Sequence, residues 1–409
     1  MARILVLGAG FAGLWSAVGA ARALDEFEIG TDEIKITVVN RDIWHAIRVR
    51  NYEANLAKVR VRLDDVLYPI GVEQITGEVT GIDFTHQQVA CAIGGRPRLL
   101  DYDRLVFALG SRLVRPEVPG LAEYAFDVDT YEGGARLNRH IDALPEQPPS
   151  PGQYTALVVG AGLTGIETAT ELPGKIRTAL VRAGRPAVAL RVILADHRPL
   201  IGSDMGEEAC RVIDEALTSL GVETRVGISI SAIDATGATL ATGERIPAAT
   251  IVWCTGMRAN PLTELFPVKR DRFGRIPVDG FMKVEGMDDI FAAGDVASAT
   301  VDDRHVSVMS CQHARPMGRF AGYNAVCDLL GRPMLPLRID WYVTCLDLGP
   351  WGAVYTEGWD RRVVATGAAA KRTKQIINCE RIYPPPYADR RQILDAAAPI
   401  VQTPPPQFR

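Results

Sequence analysis

The stretch that decides the fold is TALVVGAGLTGIETATEL, residues 155–172. Its apolar, β-branched start predicts a buried strand, and its end predicts a helix. Between them stand Gly160, Gly162 and Gly165. The first permits a tight turn, the second permits close approach of the backbone to a diphosphate, and the third permits close packing of the helix on the strand. The stretch therefore predicts a dinucleotide whose diphosphate lies at the helix N-terminus.

A second copy of this pattern opens the chain as ARILVLGAGFAGLWSAVGAAR, residues 2–22. Here Gly8, Gly10 and Gly13 follow a predicted strand at 4–7. One such motif is weak evidence by itself. Two copies predict two dinucleotides and an α/β fold with two Rossmann-like dinucleotide-binding domains.

The composition is that of a soluble globular protein. Of the 409 residues, 47% are hydrophobic and 23% are charged, and this length predicts about two to three domains. The formal net charge of -4 gives no sign of the concentrated basic surface that nucleic-acid binding requires. The cysteines lack C-x-x-C and C-x4-C spacing and the histidines form no metal-spaced cluster, so we expect neither a redox dithiol nor a metal site.

The sequence also bears on location. It contains no apolar run long enough to span a bilayer, and it enters its first predicted strand without a signal peptide. Residues 383–409 carry two proline runs, which are incompatible with one long amphipathic helix. We therefore expect a cytoplasmic protein without stable membrane insertion.

The residue at the end of the second strand of each fingerprint unit decides how a ribose is held. In the first unit it is Asn40, followed by Arg41; an amide can bind a diol, although an asparagine also suits the start of a loop. In the second unit it is Asp196, whose carboxylate repels a 2′-phosphate and favours NADH over NADPH. His197 and Arg198 stand beside it and would attract a phosphate, so NADPH stays the alternative.

A third informative stretch is FAAGDVA, residues 291–297. It predicts a short strand that leads through Gly294 and Asp295 into a helix-like segment. A carboxylate at this place can bind the hydroxyls of a flavin's ribityl chain, while the helix N-terminus faces a phosphate. The alternative is an aspartate that only caps a helix.

The remaining segments carry less specific patterns. They predict a β-meander at 67–104, an amphipathic helix at 310–330 and a small antiparallel unit at 341–366. The basic run at 371–374 is typical of a solvent-exposed face, with a partner or anionic-ligand site as the alternative.

These motifs, together with a strand end at 105–110 and TIVWCTGMRANPL at 250–262, resemble in kind and order those of the two-dinucleotide-binding-domain flavoproteins, the pyridine nucleotide-disulfide oxidoreductase superfamily. The resemblance covers about residues 1–330. It implies FAD in the first domain, whose sheet is completed by the segment carrying Asp295, and NAD(P)H in a domain inserted between its two parts. A small C-terminal α+β domain follows.

The resemblance also implies domain bounds and site residues. The FAD domain takes 1–120 and 266–335, the NAD(P)H domain takes 121–265, and the C-terminal interface or acceptor domain takes 336–409. The residues expected to bind the cofactors are Gly8, Gly10, Phe11, Ala12, Gly13, Asn40, Arg41, Ala108, Gly110, Gly160, Gly162, Thr164, Gly165, Asp196, Thr255, Gly256, Gly294, Asp295, Gln312 and His313.

Within that superfamily the chain looks most like type II NADH dehydrogenases. The shared features include His45 followed by Tyr52-Glu53-Ala54, the Thr164-Gly165-Ile166-Glu167 form of the second fingerprint, and Cys311-Gln312-His313-Ala314. The resemblance implies that Glu167 helps to position the nicotinamide over the flavin. The alternative is a glutamate that complements the helix dipole.

Three departures fall on the part of that family that meets quinone. The glutamine pair expected before Gly318 is Pro316-Met317, the lysine expected before Gly349 appears as Leu348, and no membrane anchor closes the chain. These departures keep a reductase of a protein partner open. Because the proline-rich C-terminus cannot form one long amphipathic helix, we expect a soluble enzyme that reduces a small water-soluble quinone-like or other electrophilic acceptor, and a homodimer formed through the C-terminal unit.

The acceptor is expected on the flavin face opposite the nicotinamide. Gln312, the second expected catalytic residue, His313 and Trp351 are the candidates for lining its pocket, and ordinary packing is the alternative for each. Two classes of function stay open: an NADH dehydrogenase that uses a quinone or another small acceptor, and a reductase of a protein partner such as a ferredoxin. A flavoprotein that only senses NADH is a third.

Overall fold

The computed structural model describes residues 1–186, 188–385 and 389–405. Its first unit is built on a parallel sheet of five strands. In spatial order the strands are Ile290–Ala292, Arg104–Phe107, Ala2–Leu7, Ile34–Asn40 and Glu73–Thr76. The edge strand Ile290–Ala292 comes from much later in the chain and pairs in parallel with Arg104–Phe107. This sheet is therefore completed by the segment that carries Asp295.

Two long helices cover one face of this sheet, Phe11–Glu26 and Cys311–Leu329. They approach closely because glycines face backbone: a Cβ on Gly318 would clash with the carbonyl oxygen of Ala12, and one on Gly322 would clash with that of Ser16. The close contact brings the start of the later helix next to the first fingerprint.

The meander predicted at 67–104 is present as a three-stranded antiparallel sheet. Its strands are Glu78–Asp83, Gln88–Ile93 and Arg96–Asp101. The other short elements of this unit are the strand pairs Trp44–Ala46 with Arg60–Arg62 and Ile276–Val278 with Ala297–Ala299, and the helix Asp64–Leu67.

The second unit repeats the parallel design. Its four strands lie in the order Val222–Arg225, Arg191–Ala195, Thr155–Val159 and Thr250–Trp253. Helices Tyr131–Ala143, Leu163–Arg182 and Glu207–Ser219 pack on it, and an antiparallel sheet of Ile230–Asp234, Gly237–Leu240 and Arg245–Pro247 lies beside it. The two connections between the units pair as antiparallel strands, Ser111–Leu113 with Met257–Ala259. The short helix Leu121–Tyr124 follows the first of these strands.

The C-terminal unit is antiparallel, as the sequence predicts. Strands Val343–Asp347, Ala353–Glu357 and Arg362–Thr366 form its sheet. Helix Gly367–Ile376 packs on the sheet, a π-helical turn Ile377–Arg381 extends it, and a short helix Arg390–Ala396 follows. Of the predicted proline runs, Pro386 and Pro406 lie outside the described residues.

Three predictions about local structure are wrong. The helix Cys311–Leu329 is buried on nearly all sides rather than amphipathic, because it packs between the sheet and other parts of the chain. Gly294–Val296 forms one 3-10 turn rather than the start of a helix, because the chain continues into the strand Ala297–Ala299, which pairs with Ile276–Val278. The basic run is not a solvent-exposed face: Lys374 is buried and Lys371 binds the carboxylate of Asp347.

Candidate functional site

The two fingerprint turns have the same construction. Gly8 and Gly160 have φ angles of +92° and +105°, which favour glycine over other residues. In each turn the last glycine lies against the first: a Cβ on Gly13 would clash with the carbonyl oxygen of Gly8, and one on Gly165 would clash with that of Gly160. These four glycines are therefore required by the polypeptide itself.

The middle glycine of each turn is different. A Cβ on Gly10 or on Gly162 would meet nothing within 4 Å. Both residues are helix N-caps, and as glycines they have no side chain that could cap the helix. The first backbone N–H groups of a helix have no intrahelical partner, and here the neighbouring glycines leave room beside them. That arrangement fits a diphosphate at each helix N-terminus. Thr164 is exposed in the first turn of the second helix.

The residue that ends each second strand supports its turn. The Ala9 N–H donates to Oδ1 of Asn40 at 3.0 Å, and the Ala161 N–H donates to Oδ2 of Asp196 at 2.6 Å. Asn40 also donates from Nδ2 to the backbone oxygen of Asp42 at 2.9 Å. Asn40 and Asp196 therefore each hold the glycine turn of their own unit in place. The sequence predicts a role in ribose binding for them but not this structural role.

Asp196 has a second set of contacts. Its Oδ1 accepts from the backbone N–H of Arg198 at 2.8 Å and from Nε of the same residue at 3.1 Å. Burial alone would raise the pKa of Asp196, but the hydrogen bonds from Arg198 and Ala161 hold it below its ordinary value. The carboxylate is therefore ionised at the end of the strand. His197 and Arg41, by contrast, are solvent-exposed.

The chain just after a neighbouring strand packs against each glycine turn; the strands are Arg104–Phe107 in the first unit and Thr250–Trp253 in the second. A Cβ on Gly8 would lie 2.6 Å from the oxygen of Ala108, and one on Gly160 would lie 3.0 Å from Cα of Thr255. The chain then turns at Gly110 and Gly256, with φ angles of +68° and +74°. These expected site residues therefore lie next to the two glycine turns.

Asp295 reaches the first fingerprint through Gly294. A Cβ on Gly294 would lie 2.7 Å from Cβ of Ala12, so the turn packs on the fingerprint helix. The Ser111 hydroxyl donates to Oδ2 of Asp295 at 2.6 Å, and the guanidinium of Arg48 lies 3.7 Å from the same oxygen. A carboxylate held in this way can accept hydrogen bonds from ribityl hydroxyls, as expected.

His45 offers an unused hydrogen-bonding atom at the same site. Its ring is fully buried, and Nδ1 lies 2.8 Å from the carbonyl oxygen of Ala9. Burial lowers the pKa of His45 to about 4, so the ring is neutral at pH 7, with Nδ1 as the donor and Nε2 as an acceptor. Within the described part of the chain Nε2 has no partner. Phe11 packs edge-on against the ring at 5.2 Å.

Glu167 is part of a buried ion pair. Its Oε1 accepts from Nζ of Lys374 at 2.7 Å and from the backbone N–H of Asp347 at 3.1 Å. Burial alone would lower the pKa of Lys374, but the Glu167 carboxylate more than offsets this effect and raises it, so the pair is charged at neutral pH. The glutamate thus links the second fingerprint helix to the C-terminal unit.

Sequence reasoning missed Lys374 as the partner of this glutamate. The lysine expected before Gly349 is replaced by Leu348, whose side chain is fully buried in the core of the second unit. The cation that pairs with Glu167 comes from the helix Gly367–Ile376. The one sequence signal is that Lys371 and Lys374 stand three residues apart, which places them on the same face of a helix.

The expected acceptor residues separate in space. Gln312 lines a cavity and is fixed by two hydrogen bonds with the backbone of Val343, both at 3.2 Å. His313 is fully buried on another side, where Nδ1 accepts from the Val308 N–H at 2.8 Å. Trp351 is half-buried against the core of the second unit. The structure therefore places Gln312 alone of the three at that cavity.

A family model described as pyridine nucleotide-disulphide oxidoreductase matches residues 2–318. The chain belongs to this family. It is 55% identical, over 98% of its length and 99% of the relative's, to an NADH dehydrogenase-like protein from Mycobacterium tuberculosis. It is 30% identical, over 72% of its length and 74% of the relative's, to a type II NADH:quinone oxidoreductase from Staphylococcus haemolyticus.

Solved structures agree on the fold. The NDH2 structure from Plasmodium falciparum in complex with NADH matches with a TM-score of 0.78 at 11% identity, covering 100% of both chains. The two relatives confirm the resemblance to type II NADH dehydrogenases, and the solved structure confirms the α/β fold with Rossmann-type domains. Together the comparisons support an NADH-dependent flavoprotein oxidoreductase.

The described residues meet the requirements of neither a metal site nor a membrane-spanning helix. They contain no group of three or more His, Cys, Asp or Glu side chains placed to hold a metal ion. Nor does any helix among them combine the length and apolarity needed to cross a membrane.

Proposed function

We propose that the protein is an FAD-dependent NADH dehydrogenase that delivers electrons to a small acceptor without a redox disulfide. The observation that carries this proposal is the matched pair of glycine turns. In each turn two glycines are forced by backbone contacts, whereas Gly10 and Gly162 border open space at a helix N-terminus. A diphosphate bound at each helix N-terminus would account for the absence of a side chain at both places.

The first turn is the proposed FAD site. Its helix N-terminus would hold the diphosphate, the Asp295 carboxylate would accept from ribityl hydroxyls, and Nε2 of His45 offers an acceptor without a protein partner. When bound, FAD supplies the redox chemistry, taking a hydride from NADH and passing electrons on. The chain contributes binding, orientation and exclusion of water.

The second turn is the proposed NADH site. The ionised Asp196 at the end of the adjacent strand disfavours a 2′-phosphate, which supports NADH over NADPH. Glu167 lies one turn into the fingerprint helix and is fixed by Lys374. We propose that this pair acts on the nicotinamide end of NADH, and that it does so as a positioning element rather than as an acid or base.

The proposed acceptor is a quinone-type molecule. Two relatives named as type II NADH:quinone oxidoreductases support this class, and Gln312 borders a cavity at the start of the helix Cys311–Leu329. The sequence departs from those relatives' family at Pro316-Met317, beside this cavity. We therefore propose a small water-soluble quinone rather than a long-tailed one, and a homodimer formed through the C-terminal unit.

One set of assays tests the proposal. Steady-state oxidation of NADH is measured with a short-chain quinone, a ferredoxin and oxygen as acceptors, and again with a long-tailed quinone in liposomes after a flotation step. Fastest turnover with the short-chain quinone and no flotation would support the proposal. Faster turnover with the ferredoxin, or stable flotation with efficient turnover in the bilayer, would contradict it.

A further inference from the structure

A cavity of about 70 Å³ lies beneath the last described residues of the chain. Its walls come from the first turns of the helix Cys311–Leu329 and from the turn Ile377–Arg381, and Val401, Gln402 and Pro405 close it. One water needs only about 10–15 Å³ by such a measure, so the cavity has room for an oxyanion group. We call the covering segment, residues 400–405, the strap.

Three guanidinium groups line this cavity, those of Arg315, Arg319 and Arg381. Arg315 is 7% exposed and Arg319 is 2% exposed. Arg315 and Arg319 stand four residues apart on one helix, where two like charges repel each other. Each has an Nε atom without a hydrogen-bond partner in the part of the chain that the structure describes.

The strap satisfies these cations only in part. Arg315 donates to Oε1 of Gln402 at 3.2 Å, Arg319 donates to the backbone oxygen of Ile400 at 3.4 Å, and Arg381 donates to the backbone oxygen of Thr403 at 2.6 Å. All three acceptors are neutral. Among the described residues, no aspartate or glutamate forms a salt bridge with any of these arginines.

Buried charges are normally paired, because desolvation strongly disfavours an isolated ion. The ring of Trp15 lies 5.0 Å from the guanidinium carbon of Arg315 and 4.5 Å from that of Arg319, which offsets part of this cost. Burial and the neighbouring Arg319 lower the pKa of Arg315, the direction expected for a buried cation beside a second cation. Among the described residues, this group of arginines therefore has no anionic partner.

We propose that this cavity binds the negatively charged group, a carboxylate, sulfonate or phosphate, of the electron acceptor. The inference rests on the proposed function and deepens it: the acceptor is an anionic quinone-type molecule whose oxyanion binds Arg315 and Arg319. On binding, the oxyanion replaces the neutral oxygens of the strap as the hydrogen-bond acceptor of these two arginines. The adjoining Gln312 then borders the ring of the acceptor.

The test compares two probes of nearly the same shape, anthraquinone-2-sulfonate and the neutral anthraquinone-2-sulfonamide. Their dissociation constants are measured by calorimetry on the FAD-loaded protein without NADH, and their kcat/KM values are then measured with NADH. Wild-type protein should prefer the sulfonate by about ten-fold or more, the scale of charge-assisted hydrogen bonds. The preference should fall toward unity in Arg315→Gln and Arg319→Gln and persist in Arg315→Lys.

The control is Arg211→Gln, which removes a solvent-exposed arginine of the second unit and should keep the preference. Arg381→Gln, at a half-buried position, serves as the test variant if the two buried substitutions prevent folding or FAD retention. Equal affinity for the two probes in wild-type protein, or a preference that survives every arginine-to-glutamine change at the cavity, would overturn the inference. Selective sulfonate binding without NADH oxidation would uphold the anion site and refute the proposed function instead.

Discussion

Glu167 and Lys374 form a buried ion pair, with Nζ 2.7 Å from Oε1, between the second fingerprint helix and the C-terminal unit. The two residues are 207 positions apart in the chain. Both side chains are more than nine-tenths buried. The pair therefore joins the region that would hold NADH to the unit that borders the proposed acceptor cavity.

Removing the lysine of this pair should cost more than removing both charges. Lys374→Met leaves the Glu167 carboxylate buried without its cation, and the loss of unfolding free energy should be about 3–5 kcal/mol. The double variant Glu167→Gln, Lys374→Met should recover most of that loss. Urea unfolding measures both, with Lys269→Met at an exposed position as the control. Equal losses in the single and double variants would show that the pair is not coupled.

The two kinds of glycine should respond differently to alanine. Gly10→Ala adds a methyl group where the polypeptide leaves space, so the apoprotein should keep its melting temperature while FAD content falls. Gly13→Ala places the methyl group against the oxygen of Gly8 and should lower the melting temperature itself. Full FAD occupancy in a folded Gly10→Ala protein would show that this turn does not bind the diphosphate. Flavin absorbance and thermal unfolding provide the two measurements.

The charge of Asp196 should decide the nucleotide preference. Asp196→Asn keeps an oxygen that accepts from the Ala161 N–H and removes the negative charge. The ratio of kcat/KM for NADH to that for NADPH should therefore fall by about ten-fold or more, the scale of one charged contact. His86→Gln changes an exposed histidine of the first unit and serves as the control. An unchanged ratio would assign nucleotide selection to Arg198 instead.

Acid should destabilise the protein through His313. Burial lowers its pKa to about 4, whereas in the unfolded chain it is about 6.5. As the pH falls from 6.5 to 4 the unfolded state binds a proton that the folded state does not, so the contribution of His313 to stability declines, by about 2 kcal/mol at pH 5. His313→Asn retains an acceptor for Val308 and should weaken the acid dependence by that amount.

Urea unfolding at pH 7 and pH 5 measures the effect, and His86→Asn changes an exposed histidine as the control. The same pH dependence in His313→Asn and in wild-type protein would show that other groups cause the acid sensitivity.

The fold could be predicted because its decisive residues act locally. Gly13 and Gly165 must be glycine for reasons that lie within five residues along the chain, at Gly8 and Gly160. The strands that follow are apolar runs with few alternatives. This is why the two fingerprints and the order of the units were predictable.

The rest of the site depends on contacts that the sequence does not encode locally. Lys374 contacts Glu167 only through tertiary packing. From the sequence alone, the basic run at 371–374 is therefore indistinguishable from a solvent-exposed face. Arg315 and Arg319 lie on a helix that is buried on nearly all sides, and the strap that covers them comes from the far end of the described chain. No helical periodicity could have assigned these arginines to a cavity.

The most direct test of the central claim is reduction of the bound flavin by NADH in anaerobic stopped-flow experiments. We expect about one FAD per chain, rapid bleaching of the flavin absorbance by NADH, slower bleaching by NADPH, and reoxidation on addition of a soluble quinone. A protein that binds no flavin, or whose flavin stays oxidised in the presence of NADH, would contradict it.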